Sequence, residues 1–155
     1  MKRLWLLGAL GLVLTGCVVV VGPSDGVSNL GYTTSYYNNV QNYYYICNSS
    51  NYSDTSLTIS FSYSGPLQGV SGTLVGQTSG SSLNLGNFTL SLSASTGTAS
   101  VTIQNGSVPT SLGSGTRPQG ISTTGYANLN LLFSFADGTV IPKSIASIPV
   151  LSSGC

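Results

Sequence analysis

Residues 55–63 read TSLTISFSY, and apolar side chains fall at every second position from Leu57 onward. Leu57, Ile59, Phe61 and Tyr63 share one phase; Thr58, Ser60 and Ser62 share the other. A period of two is that of a β-strand, whose successive side chains point to opposite faces. The segment therefore reads as a half-buried strand whose wet face carries hydroxyls in place of charges. The pattern recurs. YANLNLLFSF, 126–135, turns Ala127, Leu129, Leu131, Phe133 and Phe135 inward, and TASVTIQN, 98–105, does the same with Ala99, Val101 and Ile103. VQNYYYICN, 40–48, is β-branched and aromatic, and GVSGTLVG, 69–76, follows a Gly65-Pro66 turn. In SSLNLGNFTLSLS, 81–93, Leu83 and Leu85 are in one phase and Phe88, Leu90 and Leu92 in the other. The slip at Gly86-Asn87 predicts a bulge or a tight turn. Asp137-Gly138 predicts a hairpin turn. The last stretch, VIPKSIASIPVLSSGC, is interrupted by Pro142 and Pro149, which predicts an edge strand or two short pieces. Residues 106–125 read as a long loop rich in Gly, Ser, Pro and Thr. Beyond the N-terminal segment no helical period is evident. About seven strands joined by Gly-rich turns predict an all-β protein, a single Ig-like β-sandwich over residues 40–155. The buried Trp of antibody domains has no counterpart, since the only Trp is Trp5.

Composition narrows the chemistry. Charged residues make up 5% of the 155, against roughly 25% in an average soluble domain. From residue 17 onward the charges are Asp25, Asp54, Asp137, Arg117 and Lys143, a side-chain balance of about −1. No basic patch exists to release counterions from a phosphate backbone, so nucleic acid is excluded as a partner. Recurrent Tyr, Phe, Val, Ile and Leu argue against disorder. The chain has no His, which rules out a Ser/His/Asp triad, and its three acids are all Asp. Asp25 and Asp137 each precede a Gly in a turn, and GSGTRPQG, 113–120, lacks the spacing and following helix of a phosphate loop. With no CxxC and no carboxylate cluster either, the ligand inventory offers no metal site. The expectation is a non-enzyme without a cofactor.

The N-terminus carries an address. Lys2 and Arg3 precede LWLLGALGLVLTG, an uncharged, mostly apolar run, in the layout of a secretory signal. The stretch LTGC, 14–17, resembles the lipobox of bacterial lipoproteins: Leu, a small residue and Gly leading into the modified Cys. The resemblance covers the first seventeen residues. It implies a cleaved helical signal peptide at 1–16, diacylglycerol on the Cys17 thiol, and a lipid anchor and tether over 17–39. The alternative is an uncleaved anchor, because Leu4–Val21 is eighteen residues without a charge, the lower limit for a spanning helix. Either places the remainder outside the cytoplasm. With Cys17 assigned to lipid, Cys47 and Cys155 are left to pair in an oxidising compartment.

Tyr32, Tyr36, Tyr37, Tyr43, Tyr44, Tyr45 and Tyr52 crowd into twenty-one residues among Asn, Ser and Thr. Such a mixture suits an adaptable recognition surface, and it equally suits a strand. Alternation predicts Tyr44 and Ile46 inward, Tyr43 and Tyr45 outward. Tyr36, Tyr37, Tyr43 and Tyr45 are thus candidate contacts for a partner or glycan, as is Arg117, the only Arg after Arg3. The expected protein is a lipid-anchored component of the cell envelope, on the outer membrane or cell surface. It would have a structural or interaction role beside larger envelope proteins of an outer-membrane, S-layer or appendage assembly. A carbohydrate-binding module with a Tyr-rich face is the alternative.

Overall fold

A computed structural model describes residues 24–77, 81–108 and 125–155. The signal segment, Cys17 and Arg117 lie outside the described residues. Ten strands make up the described fold: β1 (Gly26–Thr34), β2 (Tyr36–Asn38), β3 (Tyr43–Cys47), β4 (Thr55–Ser64), β5 (Leu67–Gly76), β6 (Ser82–Asn87), β7 (Thr89–Leu92), β8 (Thr96–Ile103), β9 (Gly125–Phe135) and β10 (Val140–Leu151). They form two sheets, ordered β1-β4-β8-β7 and β2-β3-β10-β9-β5-β6. With β1, β4, β7 and β8 as A, B, D and E, and β5, β6, β9 and β10 as C, C′, F and G, this is the strand order of an Ig-type sandwich. All neighbours run antiparallel except β3 and β10, which run parallel at Ile46↔Val150 and Cys47↔Leu151.

The core lies between the sheets where the alternating faces meet. Leu57, Ile59 and Phe61 of β4 are buried against Leu129, Leu131 and Phe133 of β9. The Phe61 and Phe133 rings stand edge to face, centroids 5.0 Å apart, the arrangement favoured by aromatic quadrupoles.

The strand count exceeds the expected seven for two physical reasons. First, residues 26–38 are not tether: β1 pairs with β4 along its whole length and supplies buried Val27 to the core, so the folded domain begins well before residue 40. Its alternation is masked by a bulge between Ser28 and Gly31, with Asn29 at φ 51. Second, the slip at Gly86-Asn87 combines the expected bulge with a change of sheet: Gly72 pairs with Gly86 but Thr73 with Asn84, which leaves Leu85 as the extra residue. Asn87 ends β6 in the six-stranded sheet, and Thr89 starts β7 in the four-stranded one. Gly86 at φ 69 turns the chain, and Phe88, buried between, holds the crossing by donating its N–H to Val70 O at 2.8 Å. The proline-broken last stretch is one twelve-residue strand, paired with β9 at both ends of a bulge between Ile145 and Ile148.

Candidate functional site

One end of the six-stranded sheet is closed by sulfur. Cys47 at the end of β3 and Cys155 at the chain terminus form a disulfide across 108 residues of sequence. Beneath it, fully buried Thr55 Oγ1 accepts from Cys47 N at 3.0 Å and donates to Cys47 O at 3.4 Å. Above it lies a small cluster separate from the main core: Tyr45, Cys47 and Leu151, flanked by Tyr36 and Tyr43. Tyr45 faces away from Ile46, as alternation requires, yet it is only 6% exposed. The β2–β3 hairpin carries Tyr36 over it at 5.6 Å between centroids and Tyr43 beside it at 6.0 Å. Tyr45 Oη donates to Cys155 O at 3.1 Å and Tyr36 Oη to Ser53 O at 2.6 Å. Burial, and then the neighbouring Tyr hydroxyls, push the Tyr45 phenol above its ordinary pKa. Tyr45 is thus a packing residue and not the outward contact expected of it. A second layer, reaching past Ile46's sheet edge, could not be read from the period of one strand.

Of the four candidate tyrosines, Tyr37 is the open one, at 41%. It is on the other side of the hairpin, 4.7 Å from Tyr44, and donates to Asn42 Oδ1 at 3.1 Å. Tyr44 is half-buried beside Ile46. The structure therefore separates the tyrosines into two groups on opposite faces instead of gathering them into one surface.

The two outer sheet faces differ in character. In the four-stranded sheet the outward positions form rows across the strands. Thr33, Thr58, Ser100 and Thr89 make one; Gly31, Ser60, Thr98 and Ser91 the next; Ser28, Ser62 and Thr96 a third. Ser56 and Thr102 extend the pattern, so every paired outward position is Ser, Thr or Gly. On the six-stranded sheet, Leu132 (48% exposed) stands opposite Pro142, with Val140 (52%) two residues along the same strand. These three side chains make an exposed apolar patch, bordered by Asn130 and Ser144.

Two acids that are 112 positions apart in sequence meet at the end of the sandwich where β1 begins. The Asp25 carboxyl shares a hydrogen bond with that of Asp137 in the β9–β10 turn. Desolvation, then the Asp137 partner, raise the Asp25 pKa, and Oδ2 of Asp25 is buried without a hydrogen-bond partner. The Thr139 backbone N–H, 2.9 Å from Asp137 Oδ1, lowers the Asp137 pKa, with the Asp25 hydrogen bond next in weight. Sequence reasoning assigned both to independent turns, and only the closure of the β4–β5 and β9–β10 turns over the start of β1 brings them together. Among the described residues no group of three or more His, Cys, Asp or Glu converges to hold a metal ion.

No protein family matches this chain, and no curated protein resembles it closely enough in sequence to count as a relative.

Proposed function

We propose that the chain is an exported lipoprotein, anchored at Cys17, whose Ig-like domain joins an assembly of larger cell-envelope proteins through the six-stranded sheet. The carrying observation is the sulfur arithmetic: Cys47 and Cys155 are bonded to each other, and the remaining thiol is the one in LTGC. A disulfide persists in an oxidising compartment, which agrees with a secretory start. Residues 18–25 reach at most ~30 Å at about 3.3–3.6 Å per residue, so the tether holds the domain close to the bilayer. The Asp25/Asp137 end then faces the membrane and the disulfide end faces away. The Leu132/Val140/Pro142 patch offers an apolar contact on a surface that is otherwise nearly uncharged, and such patches mark interaction sites.

The test is gentle detergent extraction of native membranes, with wild type and a Leu132→Ser/Val140→Ser variant compared for what co-purifies. Stoichiometric envelope proteins that accompany wild type and leave the variant, with its thermal unfolding unchanged, support the role. Wild type extracted alone counts against it. A carbohydrate-binding role is the second reading, favoured by the exposed Tyr37 ring tilted against Tyr44. It predicts that Tyr37→Ala abolishes retention on a glycan matrix.

A further inference from the structure

The hydroxyl rows of the four-stranded sheet are an unusual use of a sheet face. Outward positions on a solvated sheet ordinarily mix charges, amides and hydroxyls. Here none of the paired outward positions carries a charge, an amide, a ring or a large apolar group. The charges among the described residues lie elsewhere. Asp25 and Asp137 sit at one end, Asp54 beyond the start of β4 at the other, and Lys143 on β10 of the opposite sheet. Between the strands the hydroxyls stand about 4.8 Å apart, and along a strand about 6.7 Å apart, the spacings of any sheet. The face is thus a repeating grid of groups that each donate once and accept twice.

Internal bonding leaves much of this grid free. Thr58 and Ser100 bond each other at 3.0 Å, and Ser62 accepts from Asn29 at 3.2 Å. Ser60, Thr98 and Ser91 make no side-chain hydrogen bond to another described residue. Those three line a shallow depression of about 370 Å³ together with the hydroxyls of Ser62, Ser93 and Thr96, the Asn29 amide, the Phe61 ring and Gly97. That volume is at the small end of ligand sites. Asn29, at the bulge of β1, lines its β1 side.

We infer that this face docks a neutral polysaccharide, with Ser60, Thr98 and Ser91 hydrogen-bonding the sugar hydroxyls at the depression. Complementarity selects this occupant. Among the described residues an anionic ligand finds no cation on the face and a cationic one no carboxylate, and no paired outward position offers an apolar partner a large side chain, the Phe61 ring between the hydroxyls excepted. A ligand made of hydroxyls matches it group for group, and a polymer can follow the rows. The inference deepens the carbohydrate reading but moves it from Tyr37 to the opposite sheet.

The test uses full-length protein in a neutral detergent, applied to insoluble neutral polysaccharides: a β-glucan, an α-glucan, a mannan and chitin. The expected result is retention on at least one, unchanged from low to molar salt because no ion pair is involved. Ser60→Ala/Thr98→Val should weaken it about tenfold, the loss of two hydrogen bonds of ~0.5–1.5 kcal/mol each. Ser71→Ala/Thr73→Val on the other sheet should leave it unchanged. Ser91→Lys, which places a charge on the grid, is the second variant should the first fail to fold, and it should abolish retention. Retention lost in Tyr37→Ala and kept in the Ser60/Thr98 variant would overturn the inference while sparing the carbohydrate reading. No retention on any matrix would overturn both. A dimer in sedimentation that Ser91→Lys dissociates would assign the face to a second copy and also refute the proposal.

Discussion

Gly97 on β8 faces the core opposite Phe61, and the space a side chain would need is already filled. A Cβ there would stand 2.7 Å from Leu92 Cδ2 and 2.8 Å from two atoms of the Phe61 ring, which is itself fixed against Phe133. Gly97→Ala should therefore cost about 1–3 kcal/mol by overpacking, read as a lower urea midpoint at constant slope. An unchanged midpoint would mean that Leu92, at the edge, moves aside freely. Thr55→Val tests the polar group under the disulfide. It keeps the shape but strips partners from both backbone groups of Cys47, and should cost about 1–3 kcal/mol. The Asp25/Asp137 pair makes stability depend on acid. The raised Asp25 pKa gives a contribution that is full below the unfolded value of 3.8 and is lost as pH rises through the folded value. The lowered Asp137 pKa acts in the opposite sense, present above 3.8 and lost as pH falls. The pair thus favours the state with one proton between the two carboxyls. Asp25→Asn should stabilise at neutral pH, by removing like charge, and lose that advantage near pH 4. Urea midpoints across this range check it; a constant difference would contradict the shared proton.

At the scale of elements, the exposed run of β10 is guarded by sequence. β10 meets β3 only at Val150 and Leu151, so among the described residues the edge from Val140 to Ser147 has no strand on its outer side. Pro142 removes a donor there, and Lys143 pairs with inward-facing Leu131, setting a charge toward the open rim of the core. Prolines and inward charges are how edges avoid pairing with another chain. Pro142→Thr/Lys143→Val should self-associate in sedimentation where wild type stays monodisperse. A monomeric variant would show that the bulge at Ile145/Ile148 alone protects the edge. Unbroken alternation made β4, β8 and β9 legible in the sequence, and β3 and β5 also lie in segments read as strands, 40–48 and 69–76. β1 was missed because Asn29 at positive φ resets its phase, and the β6/β7 crossing because a change of sheet and a bulge leave the same slip in the pattern. The hydroxyl face was visible on β4 alone as Thr58, Ser60 and Ser62. That it spans four strands depends on register, which one strand does not encode.

At the scale of the molecule, the disulfide closes nearly the whole described fold. Its two ends are 108 residues apart, and in the chain-entropy model a loop of about 100 residues is worth up to ~4.7 kcal/mol, with 2–4 typical. Cys155→Ser should lower unfolding stability by about that typical amount, and dithiothreitol should lower wild type to match. The pairing was legible because, of three Cys, one lies in a stretch that resembles a lipobox, which leaves two to pair. The burial of Tyr45 was not, since it depends on the β2–β3 hairpin folding over the bond. The disulfide and the sparsely charged sandwich are compatible with the proposed export and anchoring at Cys17. The most direct measurement is the intact mass of the native protein extracted from membranes. The account predicts a chain that begins at Cys17, carries acyl mass on that residue, and lacks the two hydrogens of a closed Cys47–Cys155 bond. A mass corresponding to an unacylated chain that still begins at Met1, with both thiols reduced, would contradict it.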